Sequence, residues 1–136
     1  MRVSVQEADF DVGAETEALA AGRADVGAVA SFVGYVRADK LAGESAAEQA
    51  VSAMTLEHYP GMTEKSLEAI VAEAESRWSL LGVRVIHRFG RLVPGDRIVF
   101  VGVAGSHRGE AFAACEFIMD YLKTRAPFWK KEDTPE

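Results

Sequence analysis

The chain has a single cysteine, Cys115, in 136 residues. That excludes an internal disulfide and a cysteine-built zinc cluster, and it suits a reducing cytoplasm. There is no run of 18 apolar residues, so no transmembrane helix is expected. The N-terminus, Met-Arg-Val-Ser-Val-Gln-Glu, lacks the apolar stretch of a signal peptide. Basic residues are outnumbered: 15 Lys+Arg against 21 Asp+Glu give a net charge of −6. General nucleic-acid binding needs a basic footprint, and this balance argues against it. A phosphate-loop lysine motif is missing, which disfavours a nucleoside triphosphatase. Neither a Ser–His–acid triad nor a set of metal ligands can be argued from the sequence, and no metal or other cofactor is expected.

What is present is an ordinary globular balance, 49% apolar and 26% charged. The length suits one domain, and no repeat or long linker divides it. Residues 1–136 are therefore expected to form a single domain. The charge is uneven. Residues 1–86 hold 7 basic and 14 acidic side chains, a net of −7, whereas residues 87–131 hold 8 and 4, a net of +4. A positive region on a negative protein points to a specific anionic ligand.

Periodicity and turn residues predict the elements. Strands are expected at 2–6, Val26–Val36 (buried on both faces), Val51–Tyr59, Val83–Phe89 and Arg97–Ala104, the last being the most apolar and central. Helices are expected at Ala14–Ala21, from a Thr63 cap to about Trp78, and at Gly109–Thr124. Gly22 reads as a helix stop, Gly82 as the end of the connection into the next strand, Pro60-Gly61 and Pro94-Gly95-Asp96 as turns, and Ala38–Gln49 as a mobile loop, a candidate lid. Strands outnumber helices without strict alternation. The expected class is α+β, with a mixed or mainly antiparallel sheet and about three helices.

Three groups of residues can carry chemistry. From Asp120 to Lys131, four cations and three aromatics surround Pro127. Proline cannot continue a helix and turns the chain, bringing Lys130 and Lys131 in from another direction than Lys123. A lysine beside other cations is expected to have a lowered pKa, available as nucleophile, base or anion clamp. A helix-end lysine favoured by the dipole is the plainer alternative. Second, Gly105-Ser106-His107-Arg108-Gly109 joins a strand to a helix, where free amides and two basic side chains suit a phosphate. Ser106 as a simple helix cap explains it equally well. Third, Arg37 ends an apolar strand and can present a bidentate fork to a ligand, or be an ordinary strand-end residue. Phe128 and Trp129 anchor the turn or line a pocket. His58 and His87, inside strands, and Cys115, on a helical apolar stripe, read as packed residues.

With these segments assembled, the chain resembles the large, catalytic subunit of molybdopterin synthase, the MoaE family. The resemblance rests on Phe-Val-Gly-Tyr-Val-Arg at 32–37, Leu-Glu-His-Tyr-Pro-Gly-Met at 56–62 and Val-Ile-His-Arg-Phe-Gly at 85–90. It continues in Pro-Gly-Asp-Arg-Ile-Val-Phe-Val-Gly-Val at 94–103, Ser-His-Arg at 106–108, and Phe-Ile-Met-Asp-Tyr-Leu-Lys-Thr-Arg-Ala-Pro-Phe-Trp-Lys-Lys-Glu at 117–132.

The resemblance implies an α/β-hammerhead-like fold and a sulfurtransferase. Cyclic pyranopterin monophosphate (precursor Z) would receive two sulfurs to form the molybdopterin dithiolene. The sulfur donor would be the C-terminal Gly-Gly thiocarboxylate of a small, ubiquitin-like, MoaD-like subunit. The implied assembly is a homodimer with one small subunit at each end, a heterotetramer. By position, Lys123 and Lys130 are the implied catalytic residues, and Arg37, His107 and Arg108 the implied substrate-binding set, completed at the dimer interface. Phe32, Met119 and Glu132 are weaker candidates for the channel holding the carrier's tail. The family's tail usually runs beyond Thr-Pro-Glu at 134–136, so a short C-terminal tail is expected here. The 38–50 loop is longer and richer in alanine than the family pattern. The competing reading is a non-catalytic module that binds a phosphate or pterin with the same cations.

Overall fold

The computed structural model of the chain describes residues 2–38 and 53–133. Its elements are β1 (Val3–Gln6), α1 (Val12–Ala20), β2 (Ala28–Tyr35), β3 (Ala53–His58), α2 (Met62–Arg77), β4 (Leu80–Arg88), β5 (Gly90–Leu92), β6 (Arg97–Gly105), α3 (Arg108–Thr124) and β7 (Phe128–Asp133). The loop expected at 38–50 lies, after Ala38, outside the described residues.

One sheet has the order β1-β4-β6-β2 and a second the order β5-β3-β7. β1 and β4 are parallel, and all other pairs are antiparallel. This is the expected α+β class, with three helices among the described residues. β6 is flanked on both sides and is buried from Val99 to Gly105, as its continuous apolar run requires. Alternation sends Val99, Val101 and Val103 to one face, where Leu67 and Val71 of α2 and Ile118 of α3 cover them. Phe100 points the other way, packing with Phe10, Ile86 and Leu19 of α1. The four-stranded sheet thus lies between α1 and the α2–α3 pair. Val36, Met54 and Leu92 form a smaller core with the second sheet. Ile118 is fully buried. Ile118→Val should therefore cost about 1 kcal/mol, read as a lower urea midpoint at unchanged slope.

Several expectations are corrected. α1 begins at Val12 rather than Ala14, because Asp11 accepts the Ala14 N–H at 3.0 Å and caps it. Thr63 does not cap α2. Gly61 takes that position at φ 86°, and its N–H donates to Glu64 Oε1 at 2.7 Å. Thr63 is instead fully buried, its hydroxyl donating to the Tyr59 carbonyl at 2.8 Å. Gly82 does not end the connection, because β4 has already begun at Leu80. It lies inside β4, where the register against β6 shifts between Leu80 and Gly82. β2 is not buried on both faces; it is an edge strand that leaves Phe32 and Tyr35 exposed. β5 and β7 were not expected as strands.

Candidate functional site

The end of β6 and the start of α3 form the first part of the site. Gly105 closes β6, Ser106 and His107 follow, and α3 begins at Arg108. His107 is the N-cap and makes no side-chain cap bond, so the cap is not Ser106. The first amides of α3 lack intrahelical partners and carry partial positive charge. Gly27 supports this loop from the neighbouring strand, its N–H donating to the Gly105 carbonyl at 2.9 Å. A Cβ on Gly27 would stand 2.0 Å from the Ser106 carbonyl oxygen, so only glycine permits this approach. Together Gly27, Ala28, Ser106, His107, Arg108 and Gly109 line an open pocket of about 490 Å³. His107 and Arg108 are exposed at its wall.

The second part is at the other end of α3. Lys123 is exposed in the last turn. The Arg125 and Ala126 amides both donate to the Tyr121 carbonyl, at 2.8 and 3.1 Å, and close the helix. After Pro127 the Phe128 N–H donates back to the Ala126 carbonyl at 2.8 Å, and the chain leaves as β7. Lys123 and Lys130 flank this one tight turn. β7 is antiparallel to β3, with Phe128 opposite His58, Trp129 opposite Glu57 and Lys130 opposite Leu56. The exposed Trp129 lies tilted against Tyr59, with ring centroids 4.8 Å apart, and donates from Nε1 to Glu57 Oε1 at 2.8 Å. Met119 precedes Lys123 by one helical turn on the same face of α3. Glu132 lies on β7 opposite Met54.

Arg37 follows β2 at the same end of the molecule. Val36 N–H donates to the Asp96 carbonyl and Gly95 N–H to the Val36 carbonyl, at 2.9 and 3.0 Å, which pins this segment to the turn before β6. Phe32 lies midway along β2, opposite Val101.

One chain does not bring all five basic candidates together. α3 runs antiparallel to β6, so Arg108 and Lys123 lie about 22 Å apart along its axis at 1.5 Å per residue. Arg37, Lys123 and Lys130 share one end of the four-stranded sheet, and His107 and Arg108 occupy the other. The residue missed in the sequence is Gly27. Its role depends on a backbone contact with Ser106, a residue remote in the chain, and no local pattern marks it.

Two groups read as packed are so. Cys115 is buried, and burial pushes its thiol up to about 11. Burial pushes the His87 imidazole down from 6.5 to about 4; the His58 ring reinforces this, and the Arg88 carbonyl accepting from Nδ1 opposes it. The unfolded chain therefore binds a proton near pH 6.5 that the native chain refuses until about 4. The stability this contributes is full above pH 6.5 and is lost as pH falls toward 4. Melting temperature should drop across that window, and His87→Phe should make the drop shallower. An equally steep drop in the variant would contradict this assignment. Among the described residues no group of three or more His, Cys, Asp or Glu is placed to hold a metal ion, and no helix is long and apolar enough to cross a membrane.

Comparison with known proteins adds to this geometry. The model of the family described as "MoaE protein" matches residues 5–125. A curated relative from Ralstonia nicotianae, named molybdopterin synthase catalytic subunit, is 63% identical over 98% of this chain and 73% of its own length. A solved MoaE protein from Burkholderia ambifaria superposes with a TM-score of 0.84 at 56% identity, covering 98% of this chain and 84% of that one. A Helicobacter pylori structure, titled as a complex of subunits 1 and 2 of molybdopterin-converting factor, shares the fold at a TM-score of 0.76 and 19% identity, over 96% and 83% of the two chains.

Proposed function

The chain belongs to the MoaE family, and from that premise we propose that it is the catalytic subunit of a molybdopterin synthase. The observation that carries this reading is the 63% identity, over 98% of the chain, to a relative of that name. The substrate is precursor Z, whose cyclic phosphate needs cations. The partner is a small ubiquitin-like sulfur carrier that presents a C-terminal thiocarboxylate. Each transfer bonds one sulfur to the pterin, and water then cleaves the acyl carbon–sulfur bond and leaves the carrier's tail as a carboxylate, so a dithiolene takes two carriers. The working unit is one domain spanning 1–136, acting in the cytoplasm.

In this reading Lys123 acts directly on the transfer, as acid/base or by holding the carbonyl as sulfur leaves. Lys130 orients the thiocarboxylate or the phosphate. Arg37, His107 and Arg108 hold the cyclic phosphate, and Phe32, Met119 and Glu132 line the path of the tail. Because His107 and Arg108 stand at the far end of α3 from Lys123, the complete site needs two copies of the chain. The outer edge of β2 pairs with no strand among the described residues. Phe32 on it is 42% exposed, and Phe112 on the adjoining helix is 64% exposed. A second copy meeting this edge antiparallel would bring its Gly27–Arg108 pocket toward Arg37 and Lys123 of the first. That geometry supports a homodimer, with one carrier at each end.

The test is conversion of precursor Z by the purified chain with thiocarboxylated carrier. Molybdopterin formation that depends on the thiocarboxylate supports the reading. Pterin binding without product would leave a non-catalytic module.

A further inference from the structure

Two histidines near the basic turn have no part in the chemistry above. His87, on β4 of the four-stranded sheet, is 8% exposed. Its ring stacks on Phe128 of the other sheet, with centroids 3.7 Å apart and planes 15° from parallel. His58 lies against the same phenyl ring at 5.8 Å and against Phe89 at 4.5 Å. Both imidazoles are held in place. His87 Nδ1 donates to the Arg88 carbonyl at 2.9 Å, since a carbonyl can only accept. The Thr63 hydroxyl gives its proton to the Tyr59 carbonyl, so it accepts from His58 Nδ1 at 3.0 Å.

Phe128 is where this matters. It is the first residue of β7, directly after Pro127. Strand side chains alternate, so Phe128 and Lys130 project from the same face of β7, about 7 Å apart along the strand. The His87–Phe128 stack joins the two sheets at that point. The lysine one step further along the face is exposed and depends on β7 for its position. A flat ring fixes the tilt of its neighbour as well as its distance, which an aliphatic side chain of similar volume does not.

We infer that His87 is a positioning residue for sulfur transfer: by stacking on Phe128 it sets where β7 presents Lys130 relative to Lys123. The inference rests on the functional reading above for its kinetic consequence, but not for its structural one.

The experiment compares wild type with His87→Ala, His87→Phe and Phe128→Leu, each assembled with thiocarboxylated carrier. His87→Ala should lower kcat about tenfold while KM for the pterin stays within about twofold, because Arg37, His107 and Arg108 are untouched. Phe128→Leu, which removes the other ring, should do the same and covers the case in which His87→Ala fails to fold. His87→Phe keeps a flat ring and should stay within about threefold of wild type. Independently of turnover, the rate of reductive methylation of Lys130, followed by mass spectrometry, should change in the first two variants and not in His87→Phe. Lys65, exposed on α2, should be unaffected throughout. Wild-type kcat and Lys130 labelling in folded His87→Ala or Phe128→Leu would overturn the inference. So would a His87→Phe protein as impaired as the alanine variant. A wild-type assembly that makes no product would instead count against the functional reading, and the Lys130 labelling would still decide the role of His87.

Discussion

Lys123→Ala is expected to reduce molybdopterin formation by about 10²–10⁴-fold, the range for loss of a positioned acid–base group. The fold should survive. Lys123 is exposed and lies in the last turn of α3, where a cation's interaction with the helix dipole is worth about 0.3–1 kcal/mol. Circular dichroism and the denaturant midpoint should therefore change little while turnover collapses. Lys123→Arg separates the two roles open to the amine. Guanidinium keeps its proton, so it can hold a carbonyl by charge but cannot exchange a proton near neutral pH. Recovery in the arginine variant would assign Lys123 to charge stabilisation, and failure would assign it to proton transfer. Full activity in Lys123→Ala would remove this residue from the mechanism.

Gly27→Ala should be the most damaging glycine-to-alanine change among the described residues. The added carbon would sit 2.0 Å from the Ser106 carbonyl oxygen. That atom belongs to the backbone and cannot rotate away as a flexible side chain can. Relief requires moving the 105–108 loop, which lengthens the Gly27–Gly105 hydrogen bond and displaces His107 and Arg108 together. A loss of about 2–4 kcal/mol in stability is expected, by the same logic that makes overpacking and special backbone sites costly. KM for the pterin should rise about tenfold or more, while affinity for the carrier stays unchanged because the displaced loop carries His107 and Arg108 and neither lysine. Gly22, Gly61 and Gly95 would meet no atom within 4 Å, so steric crowding there is absent and only their positive φ resists alanine. Wild-type stability and wild-type KM in Gly27→Ala would show that the loop tolerates displacement and does not position the two basic side chains.

Much of the fold was legible because burial and period agree. Leu67, Ile70, Val71 and Ala74 recur at helical spacing and are all buried on α2. Ala111, Cys115, Ile118 and Leu122 do the same on α3. β6 reads as central because an apolar run with no polar alternation must be covered on both faces. β2 misled for a related reason. Its small apolar residues also look doubly buried, yet sequence does not reveal whether a strand is internal or at an edge of its sheet. β7 was hidden by composition: after Phe128 and Trp129 come only Lys-Lys-Glu-Asp, residues depleted in strands, and the segment is held in place by its ladder with β3. β5 is three residues long, too short to carry a period. At the site, the turn at Pro127 and the Ser106–Arg108 junction were legible from backbone chemistry. That α3 places them at opposite ends follows from its direction along β6, and that was not.

Mixed dimers test the central claim, a site built from two chains. Lys123→Ala and a His107→Ala/Arg108→Ala double variant should each be inactive alone. Unfolded together and refolded as an equal mixture, they should recover about a quarter of wild-type turnover, because half the dimers pair unlike chains and each of those contains one intact site. No recovery, with mixed dimers shown to form by native mass spectrometry, would contradict the account and confine the whole site to a single chain.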